Sequence, residues 1–190
     1  MADPDAVAAD DMSDAENWTG GFYELILILG AAVDARLDRA VGALWRAADV
    51  RDCRAGADLI EVIPGADAFT AGGHLFGTLT LPSGARVVCG SYTTRYEGID
   101  SLALYFPLGA LATVDDRVGG YPFDERSGVE SLVWRAPLDS WLADIAVTVY
   151  ADVPFARAII GFEADDDTDS SYTARLTPGT NGLDYHPATS

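Results

Sequence analysis

Apolar and polar positions divide the chain into recognisable elements. The densest apolar run is Phe22-Tyr23-Glu24-Leu25-Ile26-Leu27-Ile28-Leu29. Side chains alternate across a strand, so Tyr23, Leu25, Leu27 and Leu29 share one face and Phe22, Glu24, Ile26 and Ile28 the other. Only Glu24 is polar, and a strand apolar on both faces is normally covered on both. The run is therefore placed at the centre of a sheet. After the turn at Gly30, Val33, Leu37, Val41, Leu44 and Ala48 recur at helical spacing, with Trp45 at the edge of that stripe. Asp34, Arg36, Asp38, Arg39 and Arg46 fall mostly on the opposite side.

Further along, Arg51 to Asp58 reads as a polar loop and Leu59 to Ile63 as a short strand stopped by Pro64. Gly65 to Gly73 reads as loop. Leu75 to Leu81 and Arg86 to Tyr96 are two strands joined by Pro82-Ser83-Gly84-Ala85, a hairpin signal. Leu102 to Phe106 is another strand. Pro137 suits the first turn of a second helix, whose stripe is Leu138, Trp141, Leu142, Ile145 and Val149. Pro154 ends it, Ala156 to Phe162 is a last long strand, and residues 170–176 offer an edge strand. The order is β-α-β-β-β-β-α-β, without an internal repeat. It predicts an α+β fold with a mixed, mainly antiparallel sheet of about six strands and two helices packed on one face.

Composition refines the organisation. The 190 residues suit one domain, which the pattern places at 18–176, with an acidic disordered tail at 1–17 and a second tail at 177–190. The net charge is -18 and the sequence pI about 4.1, although mean hydropathy is +0.11. The charge is uneven: residues 1–16 and 163–190 hold 12 acids against Arg175, while residues 17–162 hold 18 acids against 11 arginines. All 12 basic residues are arginine. Without lysine, a P-loop, a Schiff base and a lysine general base are excluded. That composition fits a high-GC or salt-adapted bacterial or archaeal source. So acidic a chain does not suit nucleic acid or anionic membrane, which both need cationic surface. No secretory pattern opens the sequence and no apolar run reaches membrane-span length, so the expected compartment is the cytoplasm with Cys53 and Cys89 reduced.

Candidate chemistry is sparse. Glu24, Glu61 and Glu163 each sit in or at the end of an apolar strand, and Arg95, Arg86, Tyr92 and Tyr96 lie on the predicted hairpin. If Glu24, Glu61, Glu163 and Arg95 converged, crowded carboxylates would raise one another's pKa and serve acid–base or ligand-binding work. Otherwise each glutamate marks the wet end of its strand. Asp165, Asp167 and Asp169 have the alternation of a calcium loop, but Ser170 stands where it needs glycine and Leu176 where it needs a bidentate glutamate. Cys53 lies between Arg51 and Arg54, which favours a lowered pKa, with Asp52 opposing. Two histidines, His74 and His186, allow no paired-histidine metal site, and there is no nucleophile elbow or dinucleotide fingerprint. No metal and no cofactor is expected.

These observations favour a small binding protein without catalysis, presenting acidic surface to a basic or amphipathic protein partner. Toxin-neutralising immunity proteins and inhibitors share those general properties. The expected contact segment is the irregular stretch from Asp115 to Glu130, with Asp115, Asp116, Tyr121, Phe123, Asp124, Glu125 and Glu130, and the acidic run Asp165–Asp169 second. The alternative is a small-ligand binder or enzyme using the glutamates and Arg95. Mimicry of DNA ranks last, because the excess charge sits at the chain ends. A homo-oligomer through a sheet edge is compatible with all three.

Overall fold

The computed structural model describes residues 11–70, 73–118, 128–164 and 173–189, with only the backbone of 70 and 128–130. Its centre is one antiparallel sheet, of nine strands among the described residues. They are β1 (Phe22–Ala31), β2 (Arg51–Ala55), β3 (Ile60–Glu61), β4 (His74–Thr80), β5 (Arg86–Tyr96), β6 (Ile99–Pro107), β7 (Arg157–Phe162), β8 (Ala174–Gly179) and β9 (Gly182–His186). Their spatial order is β3-β2-β4-β5-β6-β1-β7-β8-β9. The helices are α1 (Asp34–Ala47), α2 (Ala66–Thr70), α3 (Leu108–Ala112) and α4 (Gly128–Asp152), with a 3-10 turn at Ala15–Trp18.

The α+β class holds, as does the placing of two long helices on one face. The strand count is corrected from about six to nine, and every described pairing is antiparallel rather than mixed. β1 lies one place from the middle, between β6 and β7. Its Tyr23, Leu25, Leu27 and Leu29 face α1 and α4, where Val41, Leu44, Leu142 and Val149 complete a continuous core. Burial of that apolar area is the main drive for this arrangement.

Differences from the sequence reading have local causes. β2 is polar in sequence, yet Cys53 and Ala55 are buried while Arg51 stays exposed. A bulge between Arg51 and Arg54, with Asp52 at φ 58°, breaks the alternation that would reveal a strand. Trp45 is not an edge residue: it is 3% exposed and belongs to the continuous core between α1 and the sheet. A Cβ on Gly77 of β4 would meet Val50 Cγ1 at 2.5 Å and the Arg51 carbonyl at 2.8 Å before the indole at 3.2 Å, so this glycine makes room chiefly for the chain entering β2. α4 starts nine residues before Pro137, which therefore lies inside it. Proline supplies no N–H for the carbonyl of Val133, but Val133 is 60% exposed, where water is at hand. Gly65 to Gly73 contains the short helix α2, and the C-terminal residues extend the sheet as the β8–β9 hairpin. Among the described residues no helix is long and apolar enough to cross a membrane.

Candidate functional site

Glu24 is the third residue of β1, opposite Tyr105 of β6 and Gly161 of β7. It projects from the sheet face that the long helices leave uncovered, yet it is only 4% exposed. The Tyr92 hydroxyl, from β5, donates to its Oε2 at 2.9 Å, and the Ala164 N–H donates to the same carboxylate. Burial pushes its carboxyl up to about 7, the two hydrogen bonds oppose the rise, and neighbouring Glu163 adds to it. A carboxyl that titrates near neutrality is able to hold or release a proton there.

Around Glu24 lies an aromatic group drawn from four strands and the N-terminal turn. Tyr105 is 1% exposed and its hydroxyl lies 2.9 Å from His74 Nδ1. Its ring centroid is 4.6 Å from Phe22, 5.6 Å from His74, 5.9 Å from Tyr92 and 6.3 Å from Trp18. Gly90, its partner on β5, makes this possible: a Cβ there would overlap the Tyr105 ring. Burial lowers the His74 pKa and raises those of Tyr92 and Tyr105, so a neutral imidazole meets protonated phenols. Trp18 Nε1 donates to the Met12 carbonyl at 2.8 Å, holding the N-terminal segment beside this group.

The four residues expected to form one ligand cluster do not converge. Glu24 and Glu163 are neighbours. Glu163 follows β7 at φ 39°, its N–H donates to the Phe22 carbonyl at 2.8 Å, and its side chain is exposed beside Gly21. Glu61 lies on edge strand β3, five strand spacings from β1, or about 24 Å. Arg95 is on the helix-covered face. It bonds Asp100 at 2.6 and 3.1 Å and Asp34 at 2.7 Å, tying the β5–β6 hairpin to the start of α1. The convergence failed because register and strand order, not strand-end position, decide which residues meet.

The residues expected to meet a protein partner fare differently. Asp115 accepts three bonds from Arg117, two from the guanidinium at 2.8 and 2.6 Å and one from the backbone N–H at 3.1 Å, which hold its carboxyl below the usual range. Asp116 is exposed. Tyr121, Phe123, Asp124 and Glu125, the side chain of Glu130, and the acidic run Asp165–Asp169 lie outside the described residues. Cys53 is no activated thiol: burial pushes it up to about 12, and Cys89, also raised by burial, is in the core. Among the described residues no group of three or more His, Cys, Asp or Glu is placed to hold a metal.

Two features escaped sequence reasoning. The first is a gathering of acids at one end of the sheet. Leu108 N–H donates to the Gly21 carbonyl at 3.0 Å and Gly109 N–H to Thr19 at 2.9 Å. With the Glu163–Phe22 bond, they draw together residues 11–21, 107–118 and 162–164. These segments carry Asp11, Asp14, Glu16, Asp115, Asp116 and Glu163 against Arg117 alone. Other arginines are tied to acids elsewhere: Arg39 and Arg46 to Asp152, Arg51 to Asp49, Arg86 to Asp52 and Arg95 to Asp34 and Asp100. The second is a buried polar network on the helix face. The Tyr23 hydroxyl donates to Asp139 Oδ1, while Arg135 donates from Nε to that hydroxyl and from Nη1 to Ser131 Oγ, both at 3.2 Å. Burial pushes the Asp139 carboxyl up to about 6, against the Tyr23 hydrogen bond and the Arg135 charge. Ser131, Arg135 and Asp139 are four apart, a signal that was legible beside Trp134, Leu138 and Leu142.

No protein-family model, no curated protein and no solved structure matches the chain.

Proposed function

We propose that this chain is a cytoplasmic binding protein that acts without catalysis or cofactor, meeting a basic protein partner through the acidic end of its sheet. The carrying observation is the gathering there of Asp14, Glu16, Asp116 and Glu163, all exposed, from three segments distant in sequence. Arg117, the one arginine in those segments, is bound to Asp115. A negative field over one rigid end speeds encounter with a cationic surface and rejects anionic ones. Inhibitors and immunity proteins use that logic.

The test is capture of partners from a source-cell lysate on the immobilised chain, at low salt and at about 1 M, where charges beyond about 3 Å are screened. The combined variant Asp14→Asn, Glu16→Gln, Asp116→Asn and Glu163→Gln is run beside a control with Asp58→Asn, Glu61→Gln, Glu97→Gln and Asp144→Asn. A stoichiometric partner lost at high salt and from the first variant, but kept by the control, supports the reading. A partner lost equally from both shows that only net charge matters and overturns the assigned surface.

A second reading, a small-ligand or proton-handling site at Glu24, is favoured by one observation: a carboxyl near 7 beside half-buried His74 and Tyr92. It requires a ligand whose binding shifts with pH around neutrality and is lost in Glu24→Gln.

A further inference from the structure

Next to the acidic end lies a cavity of about 140 Å³. Three elements line it: the β4–β5 turn with Leu81 and Pro82, α3 and the residues after it with Leu111, Val114 and Val118, and α4 with Trp134 and Leu138. The lining is aliphatic and aromatic, and its charged groups are Asp115 and Arg117. An engineered apolar cavity of about 150 Å³ takes up benzene, so this volume suits one phenyl-sized group. Leu111 and Trp134 are 3% and 6% exposed, fixed by the core behind them, whereas Val114 is 39% exposed at the mouth. A preformed apolar hollow within a charged rim is the form of an anchor pocket, where one buried side chain carries much of an interface's energy.

The rim selects the occupant's neighbours. Arg117 gives Asp115 three hydrogen bonds, so those two charges cancel, and exposed Asp116 beside them leaves one net negative charge among the described residues at the mouth. We infer that the cavity receives one phenyl-sized side chain of the basic partner, with a flanking basic residue meeting exposed Asp116. This rests on the proposed function and adds where the partner docks and what it inserts.

The full chain is titrated with three N-acetylated, C-amidated tripeptides, Arg-Phe-Arg, Arg-Gly-Arg and Glu-Phe-Glu, while backbone amide and Trp134 indole shifts are followed by NMR. Arg-Phe-Arg is expected to shift Val114, Val118 and Trp134 saturably, with the other two at least about tenfold weaker. The variant Val114→Trp, which fills the mouth from an exposed position, is expected to weaken Arg-Phe-Arg by about tenfold or more. Equal binding of Arg-Phe-Arg and Arg-Gly-Arg overturns the anchor pocket and leaves the acidic surface standing. Equal binding of Arg-Phe-Arg and Glu-Phe-Glu overturns the acidic reading, and this proposal with it. No saturable shift at Val114, Val118 or Trp134 overturns the pocket outright.

Discussion

The two faces of β1 carry different work on one strand. On the helix side, Tyr23, Leu25, Leu27 and Leu29 are at most 2% exposed and belong to a single continuous core. On the other side, Phe22 and Ile28 are half-buried, Glu24 is buried among aromatics, and the apolar contacts break into two small clusters. The first face has an unambiguous reward in buried area. The second gives part of that reward up to keep a carboxyl, a histidine and two tyrosines within reach of one another. Polar groups stand on both faces, but their settings differ. Arg135 and Asp139 are 2% and 1% exposed and locked into packing, while His74 and Tyr92 border solvent.

The comparison breaks first at adjacent residues. Leu27→Ala is expected to cost about 4 kcal/mol, and Ile28→Ala, on the half-covered side, about 1 kcal/mol. Urea denaturation of both variants checks this, and equal losses would mean that the second face is as fully packed as the first. Arg135→Met comes next, at about 3 kcal/mol, since it leaves Tyr23 and Asp139 buried without the guanidinium. A neutral result would show that the helix-face network is not held by that charge.

Glu24 sharpens the contrast through pH. Its carboxyl moves from 4.5 to about 7 on folding, so the folded state holds the proton more tightly than the unfolded. Its stabilising share is complete below about 4.5, shrinks as the unfolded carboxyl ionises ahead of the folded one, and is gone above about 7. Glu24→Gln should therefore flatten the fall in stability between pH 5 and pH 8 by about 2 kcal/mol. Asp139, raised to about 6, gives the same sign and remains in the variant, so some slope persists. Parallel curves for wild type and variant would contradict the shift at Glu24. Gly90→Ala follows, at about 1.5 kcal/mol, because Tyr105 must swing aside. Its sharper readout is the His74 imidazole shift, which moves if the Tyr105 hydroxyl leaves Nδ1.

Much of the scaffold was legible because it follows period and punctuation. The strand Arg86–Tyr96 has the bounds its alternation announces, and α1 and α4 stack their stripes on one face as expected, except that Val33 precedes α1 and is 49% exposed. β2 was hidden because a bulge at Asp52 interrupts its alternation. The first turns of α4 were hidden because Pro137 looks like a beginning, and only the burial of Trp134 and Leu138 explains why the helix runs through it. Of the candidate site, Glu24 stood out as the polar residue in an apolar strand. Its partners did not, since pairing with Tyr92 and nearness to Glu163 depend on strand order. Gly90, a gap in an otherwise bulky strand, was the one available hint that a ring lies across β5. The acidic end was illegible, because hydrogen bonds from Leu108, Gly109 and Glu163 assemble it from three segments.

The measurement that tests the central claim most directly is the association rate of the captured partner against ionic strength, by stopped flow, for the wild type and the variant with Asp14, Glu16, Asp116 and Glu163 neutralised. The wild-type rate is expected to fall steeply with salt, and the variant to start lower and fall less. A wild-type rate that does not change with salt would contradict the account.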